Sequence, residues 1–218
     1  MNDPGLNSLL QWGIENSDSS RNNATTAPSD QQRDPVRSLN ADALAQLLHN
    51  APSDADSMLH AMAAIVAPLD QVDLDNKLIA WDNFEMLIEN IDNANNMESL
   101  KLWTPLLGQL DSEIAESRRW SAACLSTAVQ NNPRSQERLL AMGGVSKLAA
   151  LALKEAEDKL VKKKAINALS SEVRNYQPAL TELEKELPDN LASDGRKTDA
   201  GDMEAVDSII QRLRDHAA

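Results

Sequence analysis

One stretch of this chain recurs, and its recurrence limits the folds open to it. Leu74 to Asn96, LDNKLIAWDNFEMLIENIDNANN, sets Leu78, Ile79, Trp81, Phe84, Leu87, Ile88 and Ile91 at helical spacing. Asp82, Glu85 and Glu89 mark an acidic opposite side. A gap-free shift of 41 residues carries Trp81, Phe84, Ile88 and Asn90 onto Ala122, Leu125, Val129 and Asn131. A further shift of 44 carries them onto Ile166, Leu169, Val173 and Asn175. Each copy is followed by a second apolar helical stretch, most clearly Leu139 to Leu153.

A period of roughly 40–47 residues built from two or three helices is the mark of armadillo and HEAT solenoids. The Gly143-Gly144 pair favours the armadillo type, because glycine lets one helix stop and the next start across a sharp junction. The expected fold is all-α, an armadillo-like α-solenoid of about three to four repeats. A plain helical bundle with accidental internal similarity is the competing reading. Composition agrees with an all-helical chain: Gly and Pro are sparse, at 7 and 9 of 218 residues. Only six residues are aromatic, so the core must be built from Leu, Ile, Ala and Met.

The formal net charge of −13 sets the chain against nucleic acid and anionic membranes as partners. A single cysteine, Cys124, falls mid-helix and excludes a disulfide framework or a cysteine-rich metal site. The N-terminus lacks the basic start and apolar run of a secretory signal, and no stretch reaches the ~18 apolar residues that span a bilayer. A soluble, cytoplasmic, monomeric protein is expected.

Three segments follow from the order of the chain. Residues 1–37 read as a flexible segment: Leu9, Leu10, Trp12 and Ile14 make a short apolar motif, and Asp18 to Arg37 carries too little apolar surface to offset its ordering entropy. Residues 38–187 hold the repeats, led by helices over Leu39–Asn50 and Met58–Val66. Residues 188–218 read as a polar linker and a capping helix with Met203, Val206, Ile209, Ile210 and Leu213 inward.

No constellation for catalysis stands out. The three histidines, His49, His60 and His216, have no metal-ligand spacing, and no phosphate loop or nucleophile elbow is present. No catalytic residue, metal or cofactor is expected. A solenoid without such a set binds protein on one face. The register lines up Asp82, Glu85 and Glu89, then Ala123, Ser126 and Gln130, then Asn167, Ser170 and Arg174. This ladder starts acidic, turns small and neutral, and ends basic, which would orient a partner. The run Asp92-Asn93-Ala94-Asn95-Asn96 exceeds what helix capping needs, so Asn93, Ala94 and Asn95 join the candidate contact surface. Ala94 would lie outside the apolar column, its small side chain admitting a partner backbone. The Lys162-Lys163-Lys164 knot reads either as balance for Glu155, Glu157 and Asp158 or as a contact.

VDLDNKLIAWDNFEMLIENIDNANN, LW-P-L (Leu102 to Leu106), TAVQNN (Thr127 to Asn132), VRNYQPA (Val173 to Ala179) and the opening SLLQWGIENS (Ser8 to Ser17) together resemble one family. It is the armadillo-type nucleotide exchange factors of the 70-kDa heat-shock chaperones, the fungal Fes type, here in a short form that departs from longer members after about Tyr176. The resemblance implies a non-enzymatic co-chaperone. Its concave face would hold the second lobe of the chaperone ATPase domain, displace the first lobe and release ADP. It also implies that the N-terminal segment releases clients, with Leu9, Leu10, Trp12 and Ile14 mimicking a client peptide. A general armadillo adaptor for extended peptides is the alternative, though the Trp and Asn ladder common in such grooves is missing.

Overall fold

The computed structural model describes residues 52–192 and 198–217, and from Asp54 on they form one compact unit. The described residues hold ten α-helices and no strand. In chain order they are α1 (Asp54–Val66), α2 (Leu74–Ile88), α3 (Ile91–Asn96), α4 (Trp103–Gly108), α5 (Ala115–Val129), α6 (Pro133–Ala141), α7 (Gly144–Leu153), α8 (Lys159–Val173), α9 (Gln177–Glu186) and α10 (Met203–Ala217). A single 3₁₀ turn, Gln109–Asp111, follows α4. The predicted helix over Leu39–Asn50 lies outside the described residues.

The three copies of the repeat are α2, α5 and α8, each 15 residues long. They stack side by side in the order α2, α5, α8. The aligned residues form the core they share: Trp81, Phe84 and Ile88 on α2, Ala122, Leu125 and Val129 on α5, Ile166, Leu169 and Val173 on α8, all buried. α4 and α7 occupy equivalent places in successive repeats, packed on α5 and α8 respectively. This is the repeat of an armadillo-like solenoid, as the period indicated.

The stripe on the first copy is narrower than its apolar residues suggest. Lys77, Ala80, Trp81, Phe84 and Ile88 are buried, whereas Ile79 is 59% exposed and Ile91 52% exposed. At about 100° per residue, Ile79 points about 140° away from Phe84. Ile91 belongs to the next helix: α2 ends at Ile88, and Asn90 is the N-cap of α3, its side-chain oxygen accepting from the Asp92 N–H at 2.9 Å. Leu139 to Leu153 likewise divides into two helices around the glycine pair.

The two glycines serve different ends. Gly143 has φ +72°, the left-handed region, and its N–H bonds the Leu140 carbonyl at 3.0 Å to close α6. Gly144 is a matter of space: a Cβ there would stand 2.1 Å from Leu139 Cδ1 and 3.0 Å from the Leu139 carbonyl oxygen. Asn131 and Asn175 take the left-handed conformation after α5 and α8, with φ +53° and +57°. Their register partner Asn90 does not; it caps instead.

The three repeat helices also share a cation at the foot, which the apolar register did not indicate. Lys77, Arg118 and Lys162 are register equivalents, and each reaches back to main-chain carbonyls left open by the preceding segment. Lys77 Nζ donates to the carbonyl of Ile65 at 2.6 Å and also to those of Ala64 and Ala67, closing the end of α1. Arg118 donates to the carbonyls of Ser112 and Glu113 at 2.6 and 3.0 Å. Lys162 Nζ lies 3.4 Å from the Glu155 carbonyl. Burial pushes the Lys77 ammonium below the ordinary lysine range, and the carbonyls are what make its burial tolerable.

The C-terminal helix α10 packs on α8 and α7. It runs antiparallel to α8: its first turns, through Met203 and Asp207, meet Arg174 at the end of α8. The chain leading to it is tied to α9 and the end of α8, with the Asn175 N–H on the Ala200 carbonyl at 3.0 Å and Gln177 bonding both Thr198 and Ala200. Reversed in direction, α10 lies against the last repeat helix.

Candidate functional site

The exposed side of α2, α5 and α8 carries most of the expected contact residues. Asp82, Glu89 and Gln130 are exposed; Glu85, Ser126, Asn167 and Arg174 are half-buried. Side-chain bonds fix parts of this ladder, two of them between neighbouring helices and one at the end of α8. Thr127 Oγ1 donates to Glu85 Oε1 at 3.2 Å, and the Ser126 and Ser171 hydroxyls lie 3.1 Å apart. Arg174 Nε donates to Ser170 Oγ at 3.3 Å. Glu85, Ser126 and Arg174 are thus each held by a neighbouring side chain.

The basic end is weaker than the ladder of sequence positions suggested. The Arg174 guanidinium is paired with Asp207 of α10. A residue 33 positions away supplies that partner, so no pattern within the repeat could announce it. At the acidic end, the structure adds apolar surface. Met86 is 64% exposed and, with Ile79, borders an open groove between α1 and α2 that also includes His60, Asn76 and Asn83. In the middle, Trp120 is half-buried at the register position of Ile79 and Lys164, with the Arg119 guanidinium carbon 5.9 Å from its ring centroid. None of these three apolar residues was among the expected contacts, although the exposure of Ile79 follows from its helical angle.

The asparagine-rich block needs a larger correction. Ala94 is 2% exposed and lies in the core, not on an accessible edge. Residues 91–96 form the helix α3, and Ala94 is its one buried residue, on the side turned to the stack. Asn93 is occupied internally: its side-chain amide donates to Asp54 Oδ2 at 2.8 Å and to the Leu87 carbonyl at 2.9 Å, tying α3 to α1 and α2. Asn96 bonds Ser99. Asn95 differs, since its side-chain oxygen is buried without a partner among the described residues. Most of this block is spent on joining helices.

Cys124 is fully buried on α5, and burial, followed by the nearby Glu85 carboxylate, pushes its thiol well above the ordinary range. That is the environment of an inert core thiol. Leu9, Leu10, Trp12 and Ile14 lie outside the described residues.

Comparison with known proteins converges on one family. A family model described as nucleotide exchange factor Fes1 matches residues 6–97, a span that includes the opening apolar motif and the first copy of the repeat. The Hsp70 nucleotide exchange factor FES1 of Gibberella zeae is 49% identical over 219 residues, covering 99% of this chain and 98% of the relative. Its namesake in Coccidioides immitis is 47% identical, covering 98% of each chain. The FES1 of Eremothecium gossypii is 39% identical over 175 residues, which make up only 57% of that relative. With a repeat register built on Trp81, Phe84 and their equivalents, and with end-to-end identity to proteins of this kind, the chain belongs to the Fes1 nucleotide exchange factor family.

Proposed function

We propose that this chain binds the ATPase domain of a cytosolic 70-kDa heat-shock chaperone and promotes release of ADP and of client. The observation that carries this reading is the 49% identity to an Hsp70 nucleotide exchange factor over nearly the whole of both chains. The ladder face supplies the physical means. Its helices are locked together by buried contacts and inter-helix bonds, so deformation on binding falls on the partner rather than on the stack. If the bound partner is held in an open state that grips nucleotide weakly, exchange needs no side chain in the nucleotide site. It is a coupling free energy, typically ~1–3 kcal/mol, and it is reciprocal. ADP must then weaken the complex by the factor with which the complex weakens ADP.

In this reading Asp82, Glu85 and Glu89 meet the partner at one end of the face, Ser126, Gln130 and Asn167 along the middle, and Arg174 at the far end. Asn93 and Ala94 act by holding α3 in place, and Asn95 edges the surface. The face acts as a monomer and calls for no metal or cofactor. The motif of Leu9, Leu10, Trp12 and Ile14 serves client release by imitating an apolar client segment. The test is the rate of labelled ADP release from a chaperone ATPase domain, with and without the full chain. Acceleration supports the reading; an unchanged rate with folded protein refutes it. A chain lacking residues 1–37 should still accelerate ADP release and should release bound client peptide more slowly.

A further inference from the structure

The antiparallel course of α10 gathers cations at the foot of α8 in a chain with 34 acidic residues to 21 basic ones. Lys159 and Lys163, one helical turn apart, line a cleft of about 280 Å³ with Arg214 from the last turn of α10. Ile166 and Ala217 also line it and give it an apolar element. Lys164, the next residue along α8 after Lys163, is exposed.

The nearby carboxylates that have identified partners do not pair with Lys163, Lys164 or Arg214. Glu157 is committed to Arg118 and Lys154, and Asp158 caps α8 by accepting from the Leu160 and Val161 N–H groups. Lys162, the first residue of the lysine knot, is buried and turned to the Glu155 carbonyl. On α10, Asp207 is paired with Arg174, and Asp215 accepts from Gln211. Among the described residues, Lys163, Lys164 and Arg214 have no ion pair. The N-terminal end of α8 adds a partial positive charge to the same place.

We infer that this cleft is a docking site for a short acidic peptide segment of a partner protein. Its carboxylates would meet Lys163 and Arg214, and an apolar side chain would rest against Ala217. The net charge of −13 disfavours extended polyanions and anionic membranes, whereas a short segment feels chiefly the local field within a screening length of about 8–10 Å. The proposal does not depend on the chaperone reading.

The test uses the full chain and a fluorescein-labelled peptide of two glutamates on each side of a leucine, with both ends blocked. Fluorescence anisotropy should show saturable binding that weakens with salt. A glutamine version of the peptide, and the Lys163→Glu/Arg214→Glu variant, should each bind at least about tenfold more weakly. Asp70→Lys, exposed and outside both the cleft and the ladder face, should bind like the parent. Circular dichroism melts check that the variants fold, which their exposed positions favour. Failure of the acidic peptide to bind, or equal binding by the double variant, would overturn the proposal. So would tighter binding of heparin or phosphatidylserine vesicles than of the peptide at the same salt.

Discussion

Arg118 and Glu157 form a two-pronged ion pair between the foot of α5 and the loop that starts α8, with Nε to Oε2 at 3.0 Å and Nη2 to Oε1 at 2.5 Å. The Glu157 side chain is 1% exposed and that of Arg118 14%. Burial alone would raise the Glu157 carboxyl. The Arg118 bonds, the Asp158 N–H at 2.9 Å and Lys154 outweigh it and hold the group below the ordinary glutamate range. Removing one member strands the other, so Glu157→Ala should cost roughly 3 kcal/mol. Because the folded value is depressed, the carboxylate stabilises the fold above the unfolded value, about 4.3, and that contribution is lost as pH falls through the folded value. Denaturant melts of the parent and Glu157→Gln should therefore converge in acid and differ most near neutrality.

Glu172 gives the opposite sign. It is fully buried on α8, neither carboxyl oxygen has a partner among the described residues, and burial raises its pKa to about 9. The folded chain binds a proton that the unfolded chain releases near pH 4.3. Stability from this site is full below that value and falls by about 1.4 kcal/mol per pH unit as pH climbs toward 9. Glu172→Gln should flatten the slope and melt higher than the parent at pH 8. An equal or lower melting temperature there would show that the carboxyl has found a partner.

Phe84 is fully buried in the core shared by the repeats, and Phe84→Ala should cost roughly 3–5 kcal/mol. An unchanged melting temperature would be incompatible with the register.

Ala94→Arg separates an edge from a core position. With 2% exposure, Ala94 has no room for a guanidinium, so the variant should lose its cooperative melt or melt far lower. Glu89→Lys, at an exposed position, should melt within about 0.5 kcal/mol of the parent. If both variants lose partner binding, only the second reports on the surface. A parent-like melt of Ala94→Arg would return residue 94 to the contact face.

The repeat was legible because its carriers are large and periodic: Trp81, Phe84, Leu125 and Leu169 keep one spacing and all lie in the core. The exposure of Asp82 and Glu89 was legible for the converse reason, both being charged and opposite that stripe. What escaped notice depends on contacts between distant segments. Ala94 gives no periodic signal in a helix of six residues, and alanine suits either side of a surface. The neutralisation of Arg174 needs Asp207, which only the reversed course of α10 brings near. Lys77, Arg118 and Lys162 share a register position, but a buried cation is visible as such only once the carbonyls around it are placed.

The ladder face is tested most directly by ADP release from a chaperone ATPase domain, measured with the parent chain and with Asp82→Lys/Glu89→Lys at low and high salt. Both substitutions are exposed and should leave the melt unchanged. The parent should accelerate release. The variant should need several-fold more protein for the same rate at low salt, with the gap closing as salt screens the charges. Equal rates for parent and variant at every concentration and salt would contradict the assignment and place the chaperone contact on another surface.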